Sequence, residues 1–138
     1  MWNTTAPRNG PVVLLVEDDD DLRDLTSQML ELRGFTALIA NDAVSAITTC
    51  RVFDGTIDVL LTDLGLPGVA GGELARSASA IRPQMEIVYI SGLPQDIAIK
   101  NGIIKAGATF IAKPFTTDVL AGTLCSVLAR QGNPSAPR

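Results

Sequence analysis

Five short apolar runs, each followed by a segment with helical periodicity, occupy most of the chain, and this alternation constrains the fold more than any other feature. The first run, Val12 to Val16, contains no polar residue, which marks a strand buried on both faces. Leu22, Leu25, Met29 and Leu32 then recur at spacings of three and four, after the acids Asp19, Asp20 and Asp21 and before Gly34. That is the pattern of an amphipathic helix with a charged N-terminus and a glycine stop. The alternation continues with strands over 35–40, 57–62, 86–90 and 108–112 and helices over 43–52, 72–81, 95–106 and 117–130. Parallel strands require crossover connections, so regular strand–helix alternation predicts a doubly wound α/β domain with helices on both faces of a parallel sheet.

A chain of 138 residues fits one such domain. Residues 1–10 and 132–138 are rich in Pro, Gly, Asn and Ser and are expected to be flexible tails around a domain at 11–131. Hydrophobic residues make up 46% and charged residues 19%, enough apolar material to bury a core. The net charge is −4 and no run of Lys or Arg supplies a footprint for phosphate backbones, which argues against direct nucleic-acid binding. No apolar stretch reaches the ~20 residues that span a bilayer, so a cytoplasmic protein is expected. Cys50 and Cys125 lie in apolar stretches without metal-ligand spacing and read as buried, reduced thiols.

In open parallel sheets, ligands bind beyond the carboxyl ends of the strands, so those positions carry the functional argument. Strand one runs into Glu17-Asp18-Asp19, strand three into Asp63, strand four into Ser91-Gly92 and strand five into Lys113-Pro114. Asn41, after strand two, reads as a helix cap. Three carboxylates, a hydroxyl and an amine at one sheet edge suit a hard divalent cation such as Mg2+ or Mn2+, which takes carboxylate oxygens, a carbonyl and waters. An Asp beside such an ion, with Lys and Ser to hold phosphoryl oxygens, suits phosphoryl transfer through an acyl phosphate. Asp19 to Asp21 otherwise read as capping and dipole residues, and Asp42, Asp54, Asp58 and Asp96 as turn or helix-start residues.

The segments VVLLVEDD, LLTDLGLP, IVYISG and FIAKPF, in that order, resemble the signature segments of response-regulator receiver domains, over about Val12 to Arg130. The resemblance implies the flavodoxin-like (βα)5 fold with strand order 2-1-3-4-5. It implies that Asp63 is the phosphoacceptor, that Asp18, Asp63 and the Gly65 carbonyl hold the metal with Glu17 acting indirectly, and that Ser91 and Lys113 contact the phosphoryl group. Ser91 and Phe110 match the family's switch positions, and Lys113-Pro114 its loop peptide, commonly cis. The implied partners are a histidine kinase or histidine phosphotransfer protein and a downstream target protein, with the chain a monomer or weak dimer. Such a protein is no enzyme beyond its own phosphorylation and dephosphorylation.

The segment from Ser91 to Phe115 resembles receivers fused to hybrid histidine kinases more than those that precede DNA-binding domains. The chain contains no His, so the phosphoryl donor must be another molecule, and a stand-alone receiver is expected, with a domain excised from a hybrid kinase as the other account. Gly65 and Leu93, two residues after Asp63 and Ser91, occupy positions where receivers with fast phosphate loss often carry polar side chains, which implies slow autodephosphorylation. Two other readings compete: a receiver fold used only for phosphate-independent docking, and a haloacid-dehalogenase-type phosphohydrolase built on Asp18 and Asp20. The second lacks its family's next motif residue, because Asp21 and Leu22 follow, and has no room for a cap.

Overall fold

The computed structural model describes residues 10–68, 72–100 and 107–130. The elements are β1 (Val12–Val16), α1 (Asp20–Leu32), β2 (Thr36–Ala40), α2 (Ala43–Val52), β3 (Val59–Asp63), α3 (Glu73–Ile81), β4 (Glu86–Ser91), α4 (Gln95–Lys100), β5 (Thr109–Ala112) and α5 (Thr117–Arg130). The strands form one parallel sheet in the order β2-β1-β3-β4-β5. Residues 101–106, expected to continue the fourth helix, lie outside the described residues, as do 1–9 and 132–138 of the expected tails and residue 131 at the end of the expected domain. Gly10 packs closely: a Cβ there would stand 1.7 Å from the Gly34 carbonyl oxygen.

The central strand β1 is buried along its whole length, as its unbroken apolar run requires. Its alternate residues feed two cores. Val12, Leu14 and Val16 join Leu38 and Leu60 against Ala46, Cys50, Leu74 and Ala78 of α2 and α3. Val13 and Leu15 join Leu61, Val88, Ile90 and Ile111 against Leu30, Leu120, Leu124 and Leu128 of α1 and α5. Cys50 is buried, Cys125 partly so, and neither is in a disulfide.

Helix α1 departs from its sequence pattern. Its buried residues are Thr26 and Leu30, whereas Leu25 is 50% and Leu32 80% exposed. At 100° per residue the Leu22-Leu25-Met29-Leu32 stripe lies roughly a quarter turn from the face that meets the sheet. The Thr26 side chain supplies core contact that a hydropathy pattern counts as polar. Gly34 ends the helix with φ of 89°, and the Phe35 N–H returns to the Leu30 carbonyl at 3.1 Å. On α2 the cap is Asp42 and not Asn41: the Asp42 carboxylate accepts the Ser45 N–H at 2.8 Å, while Asn41 takes only the Ser45 hydroxyl at 3.3 Å.

Arg82, immediately after α3, ties two elements together. Its Nε donates to the Cys50 carbonyl and its two Nη atoms to the Phe53 and Gly55 carbonyls, each at 2.7 Å. These acceptors are orphan carbonyls at and beyond the end of α2, where a cation also meets the negative end of the helix dipole.

Candidate functional site

The residues at the carboxyl ends of β1, β3, β4 and β5 come together at one edge of the sheet. Asp63 closes β3 and pairs in register with Ile90; Ser91 closes β4 and pairs with Ala112, the residue before Lys113. The Lys113 N–H donates to the Ser91 carbonyl at 2.9 Å, which fixes the direction in which the lysine leaves the sheet. Its Nζ then donates to Asp63 Oδ2 at 2.7 Å and to Glu17 Oε1 at 3.2 Å. The Lys113–Pro114 peptide is cis, a point the sequence leaves open.

Glu17 is 3% exposed and both its carboxylate oxygens are engaged, one by Lys113 and the other by the Asp19 N–H at 3.2 Å. Burial pushes its pKa up and the charge of Asp63 adds to that, against the backbone hydrogen bond from Asp19 and the attraction of Lys113. Burial alone would lower the Lys113 pKa, but the hydrogen bond and charge of Asp63, with Glu17 adding, outweigh it and hold the ammonium above its ordinary range. Asp63 Oδ1 accepts the Gly65 N–H at 2.7 Å, which orients the carboxylate. Asp18 is exposed, and among the described residues its carboxylate makes no hydrogen bond.

Glu17, Asp18 and Asp63 each offer a carboxylate oxygen, all within 4.8 Å of one another. The three acids and the one ammonium of Lys113 leave two negative charges in excess, and the donors are hard oxygens. This donor set fits a divalent cation such as Mg2+. Asp20 does not join it, being paired with Arg23 at 2.6 Å, and Asp19 serves as the N-cap of α1 by accepting the Leu22 N–H at 3.0 Å.

Ser91 is buried, and its Oγ accepts the Leu93 N–H at 2.9 Å, leaving the hydroxyl proton available to donate. Phe110 is half-buried beside Tyr89, its register partner on β4. Next to Lys113 and Pro114, a groove of 410 Å³ is walled by Leu22, Leu25 and Met29 of α1 and by Phe115; Met29 and Phe115 also pack against the core. Sequence reading missed two arginines: Arg82, described above, and Arg23, whose Nη1 donates to the Glu17 carbonyl at 3.0 Å. Neither lies in a periodic pattern or at a strand end.

The fold and this site define a receiver module. The sequence profile of the response regulator receiver domain matches residues 13–124, and the chain belongs to that family of two-component signalling domains. It is 32% identical over 103 residues to the response regulator receiver protein CpdR of Brucella abortus (strain 2308), covering 75% of this chain and 84% of that protein. It is 31% identical over 119 residues to the sensor kinase CckA of the same organism, covering 86% of this chain but 13% of the kinase. The crystal structure of the receiver domain from the hybrid histidine kinase CckA superimposes with a TM-score of 0.70 at 30% identity, over 85% of this chain and 98% of that one. The chain spans about half or less of several longer regulators that it also matches. No helix among the described residues is long and apolar enough to cross a membrane.

Proposed function

We propose that the chain is a phosphorylation switch in which Asp63 accepts a phosphoryl group from a phosphohistidine on a histidine kinase or phosphotransfer protein. The observation that supports this is the 2.7 Å contact between Lys113 Nζ and Asp63 Oδ2 at the edge of the acidic cluster, a carboxylate and a cation side by side among oxygen donors that could hold a metal. Asp18 and Asp63, with the Gly65 carbonyl, would hold Mg2+, and Glu17, with both oxygens engaged, would act on it indirectly. Bound there, such an ion would supply positive charge against the charge that builds on the transferred phosphoryl oxygens.

Each protein group then has one task. The Gly65 N–H fixes the Asp63 carboxylate, which attacks phosphorus as the donor's N–P bond breaks; the imidazole nitrogen keeps the bonding pair and the aspartyl O–P bond forms. Lys113 passes from the carboxylate to a phosphoryl oxygen, and the Ser91 hydroxyl donates to another. Because Ser91 closes β4 beside β5, its movement is coupled to Phe110 and so to the surface of α4, β5 and α5, where a target protein would read the state.

Gly65 has no side chain and Leu93 offers only hydrocarbon, so neither orients a water against the acyl phosphate. Incubation with an autophosphorylated, isotopically labelled histidine kinase tests the reading. The label should pass to this chain only in the presence of Mg2+, be released by hydroxylamine as acyl phosphates are, and persist for minutes or longer. Transfer that survives metal chelation, or a label stable to hydroxylamine, contradicts the reading; a half-life of seconds contradicts the roles given to Gly65 and Leu93.

A further inference from the structure

We infer that Arg23 is a positioning residue for the acidic cluster: by holding the Glu17 carbonyl it sets the peptide plane from which the Asp18 carboxylate is presented. β1 ends at Val16, so the Glu17 carbonyl lies past the last ladder pair, and Arg23 supplies its donor at 3.0 Å. That carbonyl belongs to the peptide joining Glu17 to Asp18. The other side of Glu17 is held by its own N–H on the Ala40 carbonyl at 3.1 Å. Among the described residues Asp18 has no side-chain partner, and the backbone is what holds it in place there.

Where Arg23 sits argues for this role over a merely stabilising one. A cation in the first turns of α1 opposes the helix dipole, and this one is held at the peptide joining two of the three acids, where its charge works against a metal they would bind. Its ion pair with Asp20 offsets little of this, because the Asp20 side chain is 82% exposed. The Arg23 side chain is 15% exposed, folded inward against the β1–α1 turn. What is gained is the geometry of that turn.

This inference rests on the metal-site reading, and the test separates the two. Mn2+ binding to the full chain, without any phosphoryl donor, is followed by the electron paramagnetic resonance of the free ion, for the parent protein, Arg23→Gln and Arg23→Lys. Removing groups that orient metal ligands typically weakens binding 10–100-fold, and for a contact one bond further out we expect about tenfold for Arg23→Gln. Arg23→Lys keeps the charge but reaches a single acceptor, so its affinity should fall between the two; it also serves if Arg23→Gln does not fold.

Binding by the variants as tight as in the parent, or tighter because a competing cation has gone, overturns the positioning role. So does a loss of affinity wholly accounted for by a loss of folded protein in thermal melts without metal. Absence of Mn2+ binding by the parent overturns the metal-site reading itself, and this inference with it.

Discussion

Lys113→Met is expected to slow acceptance of a phosphoryl group at Asp63 about a hundredfold, the size of effect seen when one preorganised donor to a developing charge is removed. It is also expected to make the stability of the metal-free protein depend on pH in a particular direction. The lysine is the cation that pairs both Glu17 and Asp63. Without it Glu17, already pushed up by burial, loses its attraction to a positive charge and moves further up. A carboxyl whose folded pKa is raised contributes its full stability below the unfolded value and loses it as pH rises through the folded value. The variant should therefore lie nearest the parent below pH 4.5 and fall further behind as pH increases, by about 2 kcal/mol at pH 7, below the full cost of breaking a buried pair because Lys113 is partly exposed. Mg2+ should recover part of that deficit by replacing the missing positive charge. Thermal melts at several pH values, with and without Mg2+, check this; a deficit independent of pH, or an unchanged phosphorylation rate, contradicts it.

Arg82→Met should produce the largest loss of stability without touching the chemistry. The guanidinium satisfies three carbonyls from a stretch 27 to 32 residues away in sequence. Methionine fills similar volume but donates nothing, and carbonyls left short of donors cost more than the hydrogen bonds gained in forming them. Hydrogen bonds to a charged group contribute about 1.5–3 kcal/mol each and are not additive, so we expect a total loss of about 3 kcal/mol. In a domain of this size that lowers the melting temperature by about 10 °C. Below the transition, phosphorylation by a small acyl phosphate should proceed at the parental rate. Circular dichroism against temperature measures the first quantity; a shift of only a degree or two would show that water serves these carbonyls as well as Arg82 does.

These two residues also mark where sequence reading succeeds and where it stops. Lys113 was legible because it follows an apolar run, as Asp63 and Ser91 do, and an edge position in a parallel sheet follows directly from strand–helix alternation. The unbroken run Val12 to Val16 likewise announced a strand buried on both sides. Arg82 carries no such mark: its acceptors are backbone groups, which have no sequence signature, and they meet it only after α2 and α3 pack together. Arg23 was hidden for the same reason, because its acceptor too is a backbone carbonyl. On α1, hydropathy misread the buried face because Thr26 packs inward while Leu25 and Leu32 remain exposed. The N-cap of α2 shifted by one residue, from Asn41 to Asp42, since either side chain can cap and only the backbone path decides.

On the proposed reading Asp63 is the acceptor and the acidic cluster needs a divalent ion to make it so. Incubation with acetyl phosphate and Mg2+, followed by intact mass measurement and mapping of the modified residue, tests it most directly, with Asp63→Asn and a metal-free sample alongside. One labile phosphoryl adduct on Asp63, absent from both controls, is the predicted result. An adduct on Asp18, an adduct that persists in Asp63→Asn, or one that forms without metal would contradict it.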